Sequence, residues 1–378
     1  MTEENPDLSV ILPCRDEERA LGSCLTAIKR VFETYNINGE IIVSDSSTDS
    51  SPEIARKFNV KLVKHDKKGY GRAYLEGFKA ARGKYLFLAD SDGTYDFKEI
   101  PRFLNYLYQG YDFVIGDRLK GRIERGAMPW HHHYIGNPTL SFLLRVFFGT
   151  KIHDVHCGMK AITKQALDKL DLRATGMEFA SEMVIQSIKK DLKTKEIPIN
   201  YYKRKGTPKL KSFRDGWQHL RFMLLYSPLF LFLIPGIFLF LVGLISLVWL
   251  YFGSPEIFGI KLQYHSMFLS SLLIIIGYQL VIFALFAKTY AVTHLRENSP
   301  IINLLHKYLT IERAGIAGSI IILLGIIIFT AVFFKWLNAG FGELQEIKKS
   351  IIALTLITVG VQTIFSSFML SILGIKEK

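Results

Sequence analysis

The feature that most limits what this chain can fold into is a series of four long apolar runs in its second half. They cover residues 228–252, 267–287, 314–334 and 351–373, and the two inner runs contain no charged residue. A helix of about 20 apolar residues crosses the hydrocarbon core of a bilayer. One such run could be a buried helix of a soluble protein, but four in series are hard to bury. The sequence therefore predicts an all-α membrane domain of four helices over residues 228–378.

Basic residues in the links between these runs predict how the helices are oriented. Cytoplasmic loops of membrane proteins carry an excess of Lys and Arg. The link between the second and third runs contains Lys288, Arg296, Lys307 and Arg313, whereas the link between the first and second contains only Lys261. The last link carries three lysines, which reduces this bias. We therefore expect an integral, multi-pass membrane protein whose N-terminal domain lies in the cytoplasm.

Net charge and cysteine content limit the classes of ligand and the compartment that suit this chain. The net charge is +13, and basic chains bind nucleic acid, anionic lipid or phosphate-rich small molecules. The basic residues cluster beside the apolar segments and no nucleic-acid motif is present, so we expect no nucleic-acid partner. Three cysteines provide no disulfide framework and suit a reducing compartment. The polar, acidic N-terminus gives no indication of a signal peptide.

An amphipathic helix is predicted over residues 211–227, just before the first apolar run. Apolar residues recur there with helical spacing, at Phe213, Trp217, Leu220 and Leu224. Lys211, Arg214 and Arg221 lie beside this apolar face. Such a helix lies in the interface of a membrane. The alternative left open is an ordinary surface helix that packs on the N-terminal domain.

The soluble half, residues 1–210, reads as alternating strands and helices. Strands are predicted at residues 8–12, 40–43, 61–63, 85–89 and 112–115. Helices are predicted at residues 18–35, 51–58, 71–81 and 99–108. This alternation indicates an α/β domain with a largely parallel sheet and helices on its faces. Ligands of such sheets bind at the carboxyl ends of the strands.

Acidic residues stand where one of these buried strands ends. Asp90 and Asp92 follow the predicted strand at residues 85–89 and project to the same side of an extended segment. Two carboxylates so placed can share Mg²⁺ or Mn²⁺, which then bridges a diphosphate. A D-x-D pair is common by chance, but its position at a strand end, in line with other strand-end acids, predicts a metal site.

Two further segments suit a nucleotide. Gly69 and Gly71 precede a predicted helix, with basic residues around them, and this turn could approach a diphosphate or could simply start the helix. Asp45 follows the second strand and could accept hydrogen bonds from a base or ribose. The alternative for Asp45 is capping of the helix at residues 51–58, which Asp49 or Ser50 could also supply.

Basic clusters later in the chain suit a lipid phosphate. Arg118 follows the fifth strand, and residues 202–210 carry Arg204, Lys205 and Lys209 just before the amphipathic helix. General attraction to anionic lipid is the alternative for this last cluster. Residues 131–133 are three adjacent histidines, which rarely point at one ion and have no cysteine at a zinc spacing, so we do not expect zinc there.

The chain from Leu8 to about Tyr226 resembles the family 2 glycosyltransferases, in particular those that make polyprenyl-phosphate or dolichyl-phosphate hexoses. Six stretches carry the resemblance: V-I-L-P-C-R-D-E-E at 10–18, V-S-D-S-S-T-D at 43–49, G-Y-G-R-A at 69–73, D-S-D at 90–92, D-V-H-C-G-M-K-A at 154–161 and R-K-G-T-P-K-L at 204–210. The resemblance implies a Rossmann-like nucleotide-sugar-binding domain of the GT-A type. It also implies a metal-dependent hexosyltransferase that uses Mg²⁺ or Mn²⁺.

The same resemblance assigns residues to roles. Nucleotide-sugar contacts fall on Pro13, Arg15, Asp16, Glu18, Asp45, Gly71, Arg72, Asp90, Ser91 and Asp92. Catalytic roles fall on Asp90, Asp92, Arg118 and Asp154, with Asp90 and Asp92 as the metal acids. Contacts to the acceptor phosphate fall on Arg118, His133, Arg204, Lys205 and Lys209. Ser44, Ser46 and the histidines at 131–133 depart from the family pattern, which leaves the donor base and the His133 assignment open.

The function implied is inverting transfer of one hexose from a nucleotide sugar, with UDP-glucose favoured, to a polyprenyl or dolichyl phosphate at the cytoplasmic membrane face. A GDP-mannose-dependent mannosyltransferase and a non-catalytic membrane scaffold or lipid carrier are the alternatives. A processive polysaccharide synthase is disfavoured because its Q-x-x-R-W segment is absent. Glu178 and Glu182 are further acids without an assigned role, which could orient sugar hydroxyls. A homo-oligomer is left open.

Overall fold

The computed structural model describes residues 5–207, 212–253, 255–257, 260–262, 264–294, 310–341 and 346–375. The chain divides into two compact units, Met1–Met223 and Leu224–Lys378. This boundary falls within the predicted amphipathic helix, most of which therefore belongs to the N-terminal unit.

The N-terminal unit alternates strands and helices over most of its length. Its strands are β1 (Leu8–Cys14), β2 (Gly39–Asp45), β3 (Lys61–Lys64), β4 (Tyr85–Leu88), β5 (Phe113–Asp117), β6 (Lys160–Thr163) and β7 (Thr194–Pro198). Its helices are α1 (Glu18–Tyr35), α2 (Ser51–Lys57), α3 (Tyr70–Ala80), α4 (Ile100–Tyr108), α5 (Asn137–Phe148), α6 (Lys164–Leu167), α7 (Phe179–Lys189) and α8 (Ser212–Leu225). A 3-10 turn covers Phe97–Glu99, and a π-helical turn at His132–Gly136 leads into α5.

In the part of the chain that the structure describes, these strands form one sheet in the order β3-β2-β1-β4-β6-β5-β7. Strand β6 runs antiparallel to both of its neighbours, and the remaining pairs are parallel. The sheet is therefore mixed. The α/β class predicted from the sequence is confirmed, and all nine predicted elements are present with ends within two residues.

Strands β6 and β7 are the elements that the sequence pattern does not predict. Strand β6 is only four residues long and begins with Lys160, and β7 reads T-K-E-I-P with three polar residues first. Neither has the apolar run or the alternation that marks a strand. Both owe their conformation to pairing with β5, which the local sequence does not encode.

Helix α8 packs on the N-terminal unit by its polar side. Asp215 and His219 are buried, whereas Phe213 is 93% exposed and Trp217 is 55% exposed. Two residues of the predicted apolar face, Phe213 and Trp217, are thus turned away from the unit, whereas Leu220 and Leu224 are half-buried. The helix therefore packs on the N-terminal unit, and the position of its exposed residues in a membrane interface stays a prediction.

The C-terminal unit consists mainly of long apolar helices. They are α9 (Ile234–Phe252), α10 (Tyr264–His294), α11 (Ile311–Asn338) and α12 (Ile347–Leu373), with a π-helical turn at Leu229–Leu233 and a short hairpin of β8 (Glu256–Ile257) and β9 (Ile260–Lys261). Among the described residues, four stretches are long and apolar enough to cross a membrane: Leu229–Phe252, Tyr264–Thr293, Ile311–Asn338 and Ile347–Leu373. The predicted number of spans is confirmed.

Small residues and a few hydrogen bonds hold these helices together. A Cβ atom at Gly277 would lie 2.4 Å from the Phe240 amide nitrogen, so α9 and α10 approach at a distance that only glycine allows. Between α10 and α12, the hydroxyls of Ser271 and Thr355 lie 2.6 Å apart. The hydroxyl of Tyr278 lies 2.6 Å from that of Thr363. Such polar pairs fix the register of helices whose surfaces are otherwise apolar.

Candidate active site

The candidate active site lies where the parallel strands β1, β2 and β4 end. Pairing sets Cys14 beside Asp45 and Ile11 beside Leu88. Beyond β4, the Ser91 hydroxyl donates to the Pro13 carbonyl at 2.7 Å and ties the loop that contains Asp90 and Asp92 to the end of β1. The strand-end acids thus lie along the same edge of the sheet.

Asp90 lies beside a second acid and two arginines. Burial, followed by the charge of Asp92, raises the pKa of Asp90 above its ordinary value. The Tyr70 hydroxyl and the charges of Arg118 and Arg204 act in the opposite direction. The side chain itself is only partly buried. A cation that reached it would therefore be bound favourably.

Asp92 is almost fully buried and engaged on both oxygens. Its Oδ1 accepts hydrogen bonds from the amide and hydroxyl of Thr94, at 3.1 and 2.6 Å. Its Oδ2 accepts from Nη1 of Arg204 at 2.8 Å. The carboxylate is therefore held in a fixed orientation, with one oxygen paired to a side chain that another ligand could displace.

Arg204 joins the loop after β4 to the start of α1. Its Nη2 donates to Oε1 of Glu17, whose side chain is 7% exposed. Its neighbour Lys205 donates from the backbone amide to the Asp92 carbonyl at 2.9 Å and from Nζ to the Ser23 hydroxyl at 3.2 Å. The segment before residue 208 is thus anchored over Asp92. Lys209, also predicted to contact the acceptor phosphate, lies outside the described residues.

Asp90 and Asp92 fit a hard divalent cation. They offer carboxylate oxygens, and Asp90 has a second acid, Asp92, close enough to raise its pKa. When bound, such an ion would neutralise charge on a leaving diphosphate.

A second cluster of metal-type ligands, Asp117, His153 and Glu196, lies at the end of β5. There Nζ of Lys120 lies 2.8 Å from Nδ1 of His153 and within 3.7 Å of both carboxylates. The ammonium group of Lys120 therefore already takes the place of a metal ion in this cluster.

The Arg118 side chain is hydrogen-bonded to Asp154, so most of its donors are already used within the protein. Its Nε and Nη2 donate to Oδ2 and Oδ1 of Asp154, at 2.7 and 2.8 Å, and its backbone amide also donates to Oδ2. The guanidinium lies 5.2 Å from the centre of the Tyr201 ring. These bonds do not involve Nη1. Asp154 thus serves to hold Arg118, and only one edge of the guanidinium faces other partners.

Glu196 on β7 holds Asp154 in turn. Its Oε1 accepts from the backbone amides of His153 and Asp154, at 2.7 and 2.9 Å, and its Oε2 lies 2.9 Å from Nδ1 of His153. A chain of fixed contacts therefore runs from Glu196 through Asp154 to Arg118. Sequence reasoning missed Glu196 because it belongs to the strand that was not predicted.

The predicted nucleoside contacts surround the ends of β1 and β2. Asp16 accepts from the amide and hydroxyl of Thr48, at 2.8 and 3.2 Å, and Glu18 accepts from the Ser50 amide at 3.2 Å. Asp45 is fully buried and binds its own loop through the hydroxyl of Ser47 at 2.5 Å. These carboxylates hold two loops against each other. Arg15 is exposed beside them.

Helix α2 is capped by Asp49, which the sequence offers together with Ser50 as an alternative to Asp45. Asp49, rather than Asp45, accepts from the Ser51 amide at 2.9 Å. Capping therefore does not account for Asp45, whose Oδ2 is buried without a hydrogen-bond partner among the described residues.

The backbone amides of the glycine-rich turn are hydrogen-bonded to another loop of the protein. The amides of Gly71 and Arg72 donate to the carbonyls of Gly176 and Thr175, at 3.2 and 3.1 Å. A Cβ at Gly71 would lie 2.3 Å from the Ala174 carbonyl oxygen. Gly71 is thus needed for close contact with this loop. A nucleotide contact from the turn would have to come from a side chain, such as that of Arg72.

Glu178 and Glu182 hold the same loop from its other side. Glu182 is fully buried and accepts from the amides of Arg173 and Ala174, and Glu178 accepts from the Gly176 amide at 3.1 Å. These acids, which the sequence left without a role, bind backbone in the structure.

The three adjacent histidines do not form a common site. The ring of His133 stacks on Tyr134, with centroids 4.3 Å apart. Burial is the main cause of the lowered pKa of His132. The charges of His131, Arg118 and Asp215 also act on this ring. The assignment of His133 to the acceptor phosphate stays a prediction, and His132 is a further candidate that the sequence pattern did not separate from its neighbours.

Two more buried groups near Asp90 were missed by sequence reasoning. The Tyr95 hydroxyl is bonded to the Gly158 amide at 2.7 Å, and Nζ of Lys160 donates to the Ala180 carbonyl at 3.1 Å. Burial lowers the pKa of Lys160 to about 8. The signal for Lys160 was its place within the family stretch at 154–161, where only the acid was considered, and Tyr95 follows the D-S-D stretch at 90–92 by three residues.

Comparisons with known proteins agree with this arrangement. The family described as Glycosyl transferase family 2 matches residues 9–171, and the Glycosyltransferase family 2 C-terminal transmembrane region matches residues 285–374. The low-salt glycan biosynthesis hexosyltransferase Agl6 of Haloferax volcanii is 38% identical over 98% of this chain and 89% of its own length. A dolichyl-phosphate hexose transferase of the same organism is 32% identical over 56% of this chain and 89% of its own length.

Among solved structures, glucosyl-3-phosphoglycerate synthase from Mycobacterium tuberculosis, in complex with Mn²⁺, UDP and glucosyl-3-phosphoglycerate, is 19% identical, covers 59% of this chain and 80% of that chain, and has a TM-score of 0.48. The full-length match to Agl6 and the two family matches account for both units of the chain. The chain therefore belongs to glycosyltransferase family 2, as an enzyme whose catalytic domain precedes a C-terminal transmembrane region.

Proposed function

We propose that this glycosyltransferase transfers a single hexose from a nucleotide sugar to the phosphate of a polyprenyl or dolichyl phosphate, with inversion at the anomeric carbon, and that UDP-glucose is its donor. The reaction takes place at the cytoplasmic face of the membrane. The observation that carries the proposal is the convergence on Asp90 of a second acid, Asp92, and of two arginines, Arg118 and Arg204. The names of the two Haloferax volcanii relatives, a hexosyltransferase of glycan biosynthesis and a dolichyl-phosphate hexose transferase, support the substrate class.

The acidic side of the site suits the donor. Asp90 and Asp92 would hold Mg²⁺ or Mn²⁺ against the diphosphate, and that ion supplies charge neutralisation for the leaving group. The loops held by Asp16, Asp45 and Glu18 border the ends of β1 and β2, where a nucleoside binds in sheets of this kind.

The basic side suits the acceptor. A phosphate monoester has a second pKa near about 6, so the acceptor is already a dianionic nucleophile at neutral pH. No side chain then has to remove a proton. Arg118, through the Nη1 that Asp154 does not bind, and Arg204, when it is released from Asp92, would donate to this phosphate and position it. Catalysis would thus consist mainly of positioning and charge neutralisation.

The direct test is incubation of the purified full-length protein with radiolabelled UDP-glucose, GDP-mannose and other nucleotide sugars, each with polyprenyl phosphate and Mn²⁺ or Mg²⁺. We expect a labelled glycolipid with UDP-glucose, and NMR of the product should show an inverted anomeric centre. A preference for GDP-mannose would overturn the donor assignment, and no glycolipid from any donor would overturn the reaction.

A pair of variants controls this test. Asp92→Ala should abolish glycolipid formation while membrane insertion is unchanged. Asp96→Asn is the matched control, because Asp96 belongs to the same loop but accepts from the Lys98 amide at 3.0 Å. It should retain activity. Turnover by Asp92→Ala equal to that of the unaltered protein would remove the metal assignment.

A further inference from the structure

The second cluster of metal-type ligands has no part in the transfer reaction proposed above. Asp117 ends β5, Glu196 belongs to β7, and His153 lies in the link before β6. Each residue offers one ligand atom, and these three atoms lie within 4.8 Å of one another. Three residues from distant parts of the chain therefore present an imidazole nitrogen and two carboxylate oxygens to one point.

The pairing of β5 with β7 brings the two carboxylates of this cluster to one face of the sheet. Ile115 on β5 is paired with Glu196, and Asp117 lies two residues after Ile115. Because successive side chains of a strand point to opposite faces, Asp117 and Glu196 project to the same side. Their closeness is thus set by the register of two strands.

Each carboxylate is held by one of its oxygens. Oδ1 of Asp117 accepts from the Lys120 backbone amide at 2.9 Å. Oε1 of Glu196 accepts from the backbone amides of His153 and Asp154, at 2.7 and 2.9 Å. The other oxygen of each carboxylate faces the cluster, and Oε2 of Glu196 lies 2.9 Å from Nδ1 of His153. Hydrogen bonds of this kind orient the ligands of metal sites.

Oδ2 of Asp117 is an independent indication of a ligand. Asp117 is fully buried, yet this oxygen accepts no hydrogen bond from the residues that the structure describes. A buried polar atom without a hydrogen bond is costly and rare in folded proteins. The Lys120 ammonium lies 3.6 Å from Oδ2, which is beyond the usual length of a hydrogen bond. A metal ion in the cluster would give this oxygen a partner at bonding distance.

The charges of the cluster also favour a divalent ion. Nζ of Lys120 lies within 3.7 Å of both carboxylates, so one ammonium group faces two acids. Burial is the main cause of the raised pKa of Asp117, and the charges of Glu196 and Asp154 add to it, whereas the amide and the charge of Lys120 oppose it. With both carboxylates ionised, the ammonium leaves one negative charge uncompensated, and a divalent ion leaves none.

The Lys120 side chain can leave the cluster at little cost. It is 50% exposed, and the His153 side chain is 44% exposed, so this side of the cluster is open to solvent. Ion pairs of exposed lysines contribute little to stability. The hydrogen bond that holds Asp117 comes from the Lys120 backbone, and it persists when the side chain moves away.

We propose that Asp117, His153 and Glu196 bind a divalent transition-metal ion, which displaces the ammonium group of Lys120. The ligand atoms are Oδ2 of Asp117, Nδ1 of His153 and Oε2 of Glu196. One imidazole nitrogen with two carboxylate oxygens suits Zn²⁺ better than Mn²⁺, and it suits Mg²⁺ least because that ion prefers oxygen ligands alone.

The bound ion braces β5 and β7 against the link that contains His153 and Asp154. It leaves Oε1 of Glu196 and its two amide hydrogen bonds in place, so the contacts that hold Asp154 are retained. The site rests on the geometry of this cluster and does not depend on the transfer reaction.

Pulsed EPR of the full-length protein with Mn²⁺ tests the proposal, because it detects nitrogen ligands of the ion. His153 supplies a nitrogen, whereas Asp90 and Asp92 offer only oxygens. We expect nitrogen coupling from bound Mn²⁺ in the unaltered protein and its loss in His153→Gln. Zn²⁺ should displace this Mn²⁺, and an equal concentration of Mg²⁺ should not. Asp117→Asn keeps an acceptor for the Lys120 amide and should weaken the binding of the nitrogen-coupled ion.

Competition with Lys120 gives a quantitative test. Lys120→Met removes the ammonium group but keeps the backbone amide, and the affinity for the nitrogen-coupled Mn²⁺ should rise about tenfold, the worth of one charged hydrogen bond. The matched control is Lys151→Met, which removes an equal charge from an exposed position two residues before His153 and should leave this affinity unchanged.

Three results would overturn the proposal. The first is an absence of nitrogen coupling in both the unaltered protein and Lys120→Met. The second is coupling that persists in His153→Gln, since the ion would then be bound by other histidines. The third is an equal rise in affinity in Lys120→Met and Lys151→Met, because net charge and not the place of the Lys120 ammonium would then control binding.

Discussion

The guanidinium of Arg204 is hydrogen-bonded to the carboxylate of Asp92, with Nη1 2.8 Å from Oδ2. The same guanidinium is paired with Glu17, so one arginine neutralises two buried acids that approach from different parts of the chain. In the protein without ligands, the Arg204 side chain therefore occupies Oδ2 of Asp92, one of the two predicted metal ligands. A cation and Arg204 compete for the same oxygen.

Arg204→Gln should have opposite effects on metal binding and on transfer. Removing the competing charge should raise the Mn²⁺ affinity of the nucleotide-free protein by about tenfold, the worth of one charged hydrogen bond. Transfer should fall, because a phosphate contact is lost. Mn²⁺ binding is measured from the EPR signal of the free ion. Lys203→Gln removes an equal charge at an exposed neighbouring position and should change neither quantity. Weaker Mn²⁺ binding by Arg204→Gln would contradict the competition.

Removal of divalent cations should stop the reaction. Burial together with the Asp92 charge raises the pKa of Asp90, so a diphosphate brought to this pair without an ion would meet two acids. EDTA should abolish glycolipid formation, and Mn²⁺ or Mg²⁺ added in excess of the chelator should restore it. Undiminished turnover in EDTA, measured after exhaustive dialysis, would show that Arg118 and Arg204 neutralise the leaving group by themselves.

Glu196 should position Arg118 through Asp154. Glu196→Ala removes the acceptor of two backbone amides, and we expect a rise of about tenfold in the KM for polyprenyl phosphate with less change in the KM for the nucleotide sugar. Glu196→Gln, which retains an acceptor oxygen, should recover most of the loss. The control is His153→Ala, which removes a side-chain contact but leaves both backbone hydrogen bonds in place.

Hydrogen exchange tests the chain of contacts from Glu196 through Asp154 to Arg118 without measuring turnover. The Arg118 amide is bonded to Asp154 and not to Glu196. Faster exchange of that amide in Glu196→Ala would show that the effect passes through Asp154. An unchanged amide, or equal rises in both KM values, would indicate that Glu196 has only a general structural role.

Acidification should destabilise the catalytic unit through His219. Burial lowers the pKa of His219 to about 4, and it lowers the pKa of the adjacent His156 as well. In the unfolded chain a histidine takes up its proton near about pH 6.5. Between these values the unfolded state binds more protons than the folded state, so stability is complete above pH 6.5 and falls as the pH decreases towards 4.

The size of this effect can be measured. His219 alone should lower the free energy of unfolding by about 2 kcal/mol between pH 7 and pH 5. Thermal unfolding of the detergent-solubilised protein at both pH values reports it, and His219→Gln should show a smaller pH dependence. If the variant and the unaltered protein lose stability equally on acidification, other groups are responsible.

Much of the architecture was determined by the sequence alone, because the relevant signals are local. The length of an apolar run decides whether it can span a bilayer, and four such helices are present. Helix α1 begins and ends at the predicted residues, since its apolar spacing and its polar ends are encoded within eighteen residues. Asp90 and Asp92 could be proposed as metal ligands because a buried strand that ends in two acids is recognisable without knowledge of its neighbours.

Only the tertiary structure decided which side chains meet in the site. Glu17 rather than Glu18 faces Arg204, a partner 187 residues away in the chain. Arg118 is held by Asp154, and the amides of the glycine-rich turn are bound by the loop at residues 174–176. Strand β6 runs antiparallel to β4 and β5, between which it lies. These contacts join residues that are far apart in sequence, and their geometry depends on how the sheet and its loops come together, which no local pattern of residues specifies.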